Sequence, residues 1–275
     1  MSKIFVPSDF TPVSNVAIRY GCEIAESTKS EVYLLHIVKT QGEIEAAKKK
    51  LEVQAADHST RHAVKINIHV RVGNIFDDIP DVAAEENAEL IVMGTHGMQG
   101  MQFIVGSNAL RIISESKVPM IIVQADTKQS AKISKLLIPL DLHQETKQKL
   151  KIACDVASRF GAEVHIISPK ETDEFLHNRL ARNISYAEGY LEERKLKYKT
   201  TITESGSGGF VKELLKYAKY AEIDMICILN TAEERLVHAF GMDSEQKIIT
   251  NEAGIPVMIL NPAVTYKDSS SVFAQ

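Results

Sequence analysis

Tryptophan is absent from the 275 residues, aromatic residues amount to 6%, and cysteine occurs three times. An odd cysteine count without a C-x-x-C pair excludes a disulfide framework and a zinc knuckle. Cys22, Cys154 and Cys227 each fall in an apolar-periodic segment and read as small buried hydrophobes. Long hydrophobic runs are also missing. None approaches the roughly 20 residues that a membrane-spanning helix needs, and the opening Lys3-Ile4-Phe5-Val6 reads as a strand rather than a leader. The chain is therefore expected to be cytoplasmic, with no membrane partner. Positive charge is not in excess: 32 Lys and Arg face 36 Asp and Glu, a net charge of -4. That balance argues against a nucleic-acid partner, because phosphate backbones demand clustered cations. No P-loop, H-E-x-x-H or G-x-S-x-G motif occurs, and His143, His165, His177 and His238 lack metal-ligand spacing. No catalytic residue and no metal site can be named.

What the chain has is itself, twice. Lys3-Ile4-Phe5-Val6-Pro7-Ser8-Asp9 returns as Lys135-Leu136-Leu137-Ile138-Pro139-Leu140-Asp141, an offset of 132 (135 minus 3). Val118-Pro119-Met120 to Val123 returns as Ile255-Pro256-Val257 to Leu260, offset by 137 (255 minus 118). A repeat this long suits a duplicated domain and not a solenoid. Apolar runs of strand length alternate with helical periodicity in each half, in the order β-α-β-α-β-α-β-α-β. That pattern predicts a parallel sheet covered on both faces. Val64, Ile66, Ile68, Val70 and Val72 alternate strictly and mark a half-buried or edge strand. Residues 125–132 are polar and aperiodic, a natural linker, and 265–275 read as a frayed tail. The expected organisation is two tandem Rossmann-like α/β domains, 1–125 and 133–264, each a five-stranded parallel sheet with helices on both faces.

In such sheets ligands collect beyond the carboxyl ends of the strands, where strand order reverses. After the fourth strand of the first half comes Met93-Gly94-Thr95-His96-Gly97-Met98-Gln99-Gly100, and Gly106-Ser107-Asn108 then opens a helix. Glycine permits close backbone approach and positive φ. A helix start with a hydroxyl offers free N–H groups to an anion. From the residues alone two readings stand: a phosphate-binding loop, or a glycine turn with a serine cap. Asp9 likewise reads either as a ligand contact or as a turn cap ahead of Thr11-Pro12. A second glycine cluster, Ser205-Gly206-Ser207-Gly208-Gly209, has Val211 where a dinucleotide fingerprint needs glycine. It reads as a flexible loop, with an anion site at the start of the Phe210 helix as the alternative.

The combination resembles the universal stress protein family, whose ATP-binding members carry G-x2-G-x9-G-[ST] after the fourth strand and an Asp after the first. Here the pattern is Gly94-x2-Gly97-x8-Gly106-Ser107, one residue shorter, with Val6-Pro7-Ser8-Asp9 and His36-Ile37-Val38. The resemblance implies ATP, alone or with Mg2+, at most weakly hydrolysed, in a stress-response protein. It implies that Pro7, Ser8, Asp9 and Val38 surround adenine and ribose. Met93, Gly94 and Gly97 would contact ribose and phosphates, and Gly106, Ser107 and Asn108 would hold the phosphates. It also implies that the last strands pair between domains as an intramolecular pseudo-dimer, with a homodimer of the chain left open. In the second half the matching loop is Asn230-Thr231-Ala232-Glu233-Glu234-Arg235, without the leading glycines and with two carboxylates. Nucleotide is therefore expected in the first half only. The competing reading is a tandem scaffold that binds no nucleotide.

Overall fold

The short apolar runs become ten strands and the periodic segments between them eight helices, within the residues that the computed structural model describes: 2–95, 107–128, 130–140, 142, 146–229 and 242–261, the side chains of 107–108, 146–149 and 242–245 excepted. The first half contains β1 (Lys3–Pro7), α1 (Pro12–Thr28), β2 (Glu31–Val38), α2 (Ile44–Ser59), β3 (Ile66–Val72), α3 (Ile75–Glu85), β4 (Leu90–Gly94), α4 (Ser107–Glu115) and β5 (Met120–Val123). The second contains β6 (Lys135–Pro139), α5 (Thr146–Phe160), β7 (Glu163–Ser168), α6 (Glu174–Glu193), β8 (Tyr198–Ile202), α7 (Ser207–Tyr220), β9 (Met225–Leu229), α8 (Met242–Ile249) and β10 (Val257–Leu260).

Local chemistry sets the helix starts. Thr11 caps α1, its side chain accepting from the Ser14 N–H, and Pro12 follows where a missing donor costs nothing. Asn74 caps α3 through the Phe76 N–H at 2.9 Å, and Asp173 caps α6 through Leu176 at 2.9 Å. The second glycine cluster is not a loop throughout, because α7 begins inside it at Ser207. Both oxygens of Glu213 accept from the N–H groups of Glu204 and Ser205, which fixes the chain ahead of the helix. Gly209 lets Ser205 lie where a Cβ would meet its side chain at 2.7 Å.

All ten strands form one sheet, ordered β3-β2-β1-β4-β5-β10-β9-β6-β7-β8. Every pairing inside a half is parallel, and the edge strand expected from alternation, β3, does lie at an edge. The halves meet at β5 and β10, which pair antiparallel with Met258 opposite Ile121. Because side chains alternate across a sheet, each strand feeds two cores. Ile4, Val6, Ile121 and Met258 join α1, α2, α5 and α6 on one face, whereas Phe5, Ile122 and Val257 join α3, α4, α7 and α8 on the other. Each core runs unbroken from one half into the other. Burying a side chain such as Leu34 or Ile226 in them contributes about 1.5–3 kcal/mol.

Burial also defines the cysteines. It pushes the Cys22 and Cys154 thiols up to about 12, far from reactive thiolates, and Cys227 is buried as well. Among the described residues no helix is long and apolar enough to cross a membrane.

Candidate functional site

In the first half the chain leaves β1 for β2 on one side and meets β4 on the other, so strand order reverses between β1 and β4. A cavity of about 420 Å³ opens there, within the range of small-molecule sites. Pro7, Ser8 and Asp9 line it from the end of β1, Leu35, His36 and Ile37 from β2, and Met93, Gly94 and Thr95 from β4. Ile75 and Ile79 of α3 and Ala109 and Ile112 of α4 complete an apolar wall.

The polar corner at the end of β1 is tightly organised. Ser8 donates through Oγ to Gln54 Oε1 at 2.8 Å, its backbone N–H pairs with the Leu35 carbonyl at 2.8 Å, and its own carbonyl lies 2.6 Å from His36 Nδ1. Asp9 is exposed. Its Oδ1 accepts from the Thr11 N–H at 3.1 Å and the Thr11 hydroxyl at 2.5 Å, so the turn uses one carboxylate oxygen. Phe10 follows with φ of 65°, an uncommon conformation for a bulky residue that concentrates at functional turns. Its ring packs on His36 with centroids 4.4 Å apart.

The end of β4 supplies a feature that sequence reasoning missed. Thr95 is 4% exposed, lines the cavity, and holds its backbone N–H on the Val123 carbonyl, yet its Oγ1 is buried with no hydrogen-bond partner. A buried hydroxyl left without a partner costs about 1–3 kcal/mol. The one available signal was its place next to the strand end inside the glycine-rich run.

Gly94 has a packing reason for being glycine. A Cβ there would stand 2.7 Å from the carbonyl oxygen of Val13, so α1 itself leaves no room for a side chain. Nor is its φ positive, since among the described glycines only Gly161 and Gly254 are left-handed. Val38 is buried and lies one residue beyond the stretch of β2, Leu35 to Ile37, that lines the cavity.

The structure thus gathers Pro7, Ser8, Asp9, Met93 and Gly94 around one cavity. Ser107 and Asn108 begin α4, but their side chains lie outside the described residues, as do Gly97 and Gly106 altogether. So do Asp141, Glu233 and Glu234 of the second half. Among the described residues no three His, Cys, Asp or Glu side chains come together as a metal site.

Comparison with known proteins agrees with this architecture. The model of the universal stress protein family matches residues 1–124. A universal stress protein of Methanocaldococcus jannaschii is 27% identical over 143 residues, 46% of this chain and 84% of that protein. Universal stress protein G of Shigella flexneri is 28% identical over 78 residues, 28% of this chain and 54% of that protein. Across nearly the whole length, the crystal structure of a universal stress protein from Archaeoglobus fulgidus shares the fold, with a TM-score of 0.70 at 18% identity, over 94% of this chain and 96% of that one.

Proposed function

We propose, from the premise that residues 1–124 belong to the universal stress protein family, that the first half binds an adenine nucleotide and serves as a nucleotide-responsive cytoplasmic stress protein. The observation that carries this reading is the buried, unpartnered hydroxyl of Thr95, a residue that lines a 420 Å³ cavity at the switch point. A buried donor without a partner fits a ligand with polar edges, and the surrounding Leu35, Ile37, Ile79, Met93 and Ile112 fit a flat aromatic base. Pro7, Ser8 and Asp9 would hold the nucleoside, with Asp9 accepting from it. Met93, Gly94 and Gly97 would flank ribose and phosphates, and Gly106, Ser107 and Asn108, at the start of α4, would receive the phosphates. A triphosphate supplies negative charge that the amino end of α4 stabilises. ATP, with or without Mg2+, is the specific ligand in this reading.

The proposed organisation is a first domain over 1–125 and a second over 133–264, docked as an intramolecular pseudo-dimer. The antiparallel β5–β10 register and the shared cores support it. Nucleotide belongs to the first domain alone, because Glu233 and Glu234 stand in the corresponding loop of the second and repel phosphates.

Isothermal titration of the full chain with ATP, with and without Mg2+, tests the reading. One site per chain is the expected result. Two equivalent sites would overturn the one-domain assignment, and no binding would favour a scaffold.

A further inference from the structure

We propose that the second half carries a site of its own at the outer margin of its sheet, between α6 and the ends of β7 and β8, and that this site holds a small, uncharged, mainly apolar molecule. The site is a cavity of about 550 Å³ alongside the amino-terminal half of α6, a volume typical of small-molecule pockets. Pro169 after β7, Ile202 at the end of β8, and Leu180, Ala181 and Ile184 of α6 form its walls.

The duplication explains why it is open. The Val164 N–H bonds the Lys197 carbonyl as the Val32 N–H bonds that of Lys65, which aligns β8 with β3 at an offset of 132 (197 minus 65). In the first half Ile66, Ile68 and Val70 pack against the core, and α2 lies directly on β3. Their counterparts are Tyr198, Thr200 and Ile202. Two of these meet α6 through polar ties: the Thr200 hydroxyl donates to Glu188 at 2.6 Å and the Tyr198 hydroxyl to Glu192 at 2.7 Å. Carboxylate side chains thus span a gap between helix and strand that α2 and β3 do not have, and the closest backbone packing of α6 is with α5. The third counterpart, Ile202, is left 54% exposed. Leu180 is buried yet belongs to neither core among the described residues. Apolar side chains therefore border a space that these elements leave unfilled, and a space of that kind holds water poorly.

The charges at its edge narrow the class of occupant. Lys170 stands there with Glu171 and Glu204, and Glu171 already accepts from the N–H groups of Thr172 and Asp173 at 2.8 and 3.0 Å. An ion of either sign would meet a like charge while losing its own hydration, whereas an uncharged molecule loses little. One uncommitted polar group stands behind the wall. Ser168 precedes Pro169, pairs in register with Ile202 and is fully buried, with its Oγ unpartnered among the described residues. A hydroxyl or carbonyl on the occupant suits such a group without bringing a charge into the cavity.

The test is titration of the full chain with N-phenyl-1-naphthylamine, an uncharged dye that brightens in apolar surroundings. The expected result is one dye per chain, not weakened by added salt and displaced more readily by decan-1-ol than by decanoate or decylamine. Ala181→Trp fills the cavity and Ile202→Glu charges its wall; both positions are exposed, so the cores stay intact, and circular dichroism checks folding. Dye affinity should fall at least about tenfold in each. Because the chain has no tryptophan of its own, blue-shifted indole emission from Ala181→Trp reports that the new side chain has entered apolar space. Absence of dye binding, or unchanged affinity in both variants, overturns the proposal. Displacement of the dye by ATP, or its loss in Thr95→Val, would place it in the first-half cavity and also overturn it. Tighter binding of decanoate or decylamine than of decan-1-ol would overturn the uncharged class.

Discussion

Gln124 and Asn261 reach across the junction between the halves from opposite sides. Gln124, just beyond β5, donates from Nε2 to the Asn251 carbonyl behind α8 at 3.2 Å. Asn261, just beyond β10, donates from Nδ2 to the carbonyls of Ile113 and Ser116 at the end of α4, at 2.7 and 2.5 Å. Each half thus supplies a donor to carbonyls at a helix end of the other. Asn261→Ala is expected to lower unfolding free energy by about 1–3 kcal/mol, because it takes a donor from two partly buried acceptors, of which Ile113 keeps the Ser116 N–H at 3.4 Å. Urea denaturation measures it, and an unchanged midpoint would remove Asn261 from the junction.

Thr95→Val separates stability from binding. Valine keeps the shape and removes a hydroxyl that finds no partner, so thermal stability without ligand should hold or rise slightly. Nucleotide affinity should fall about tenfold, the worth of one hydrogen bond in a dry site. Differential scanning fluorimetry and titration calorimetry report the two quantities separately.

Gly94→Ala has the opposite signature. Its Cβ would meet the Val13 carbonyl at 2.7 Å, so α1 must shift and stability should drop by about 1–3 kcal/mol with or without ligand. A variant of unchanged stability that merely loses affinity would leave Gly94 as a ligand contact without the packing role.

Two buried histidines set an acid limit. Burial holds His58 and His165 below the usual imidazole value of 6.5. The unfolded chain therefore binds protons that the folded one refuses. The stability in question is complete above about 6.5 and lost as pH falls toward the depressed folded values. His58→Gln/His165→Gln should flatten the decline in urea midpoint between pH 7.5 and 5.5. An equally steep decline would assign it to other groups.

The sequence carried the strands well because Leu90 to Met93 and Met225 to Leu229 are apolar throughout, as strands buried on both faces must be. The expected site residues Pro7, Ser8, Asp9, Met93 and Gly94 do share a cavity, since strand ends locate it without knowledge of tertiary packing. The reason for Gly94 was not legible, because Val13 lies 81 residues earlier (94 minus 13) and only packing brings it near. The stretch of β2 that borders the cavity ends at Ile37, one residue short of Val38, and a three-residue motif does not fix where it ends. Thr95 was hidden because a missing partner is a property of surroundings and not of residue type. The helical start of Ser207-Gly208-Gly209 depends on Glu213 reaching back eight and nine residues, beyond any local glycine rule.

The lone antiparallel seam at β5 and β10 has a directional consequence. Strands run one way through the first half and the reverse way through the second, so the two carboxyl-end rims look out from opposite margins of the slab. A molecule seated at one rim cannot touch a molecule seated at the other. Any traffic between them must cross the junction, by way of the eight residues of its two short strands, the side-chain ties of Gln124 and Asn261, the bond from Arg159 to the Ser27 carbonyl and the two shared cores.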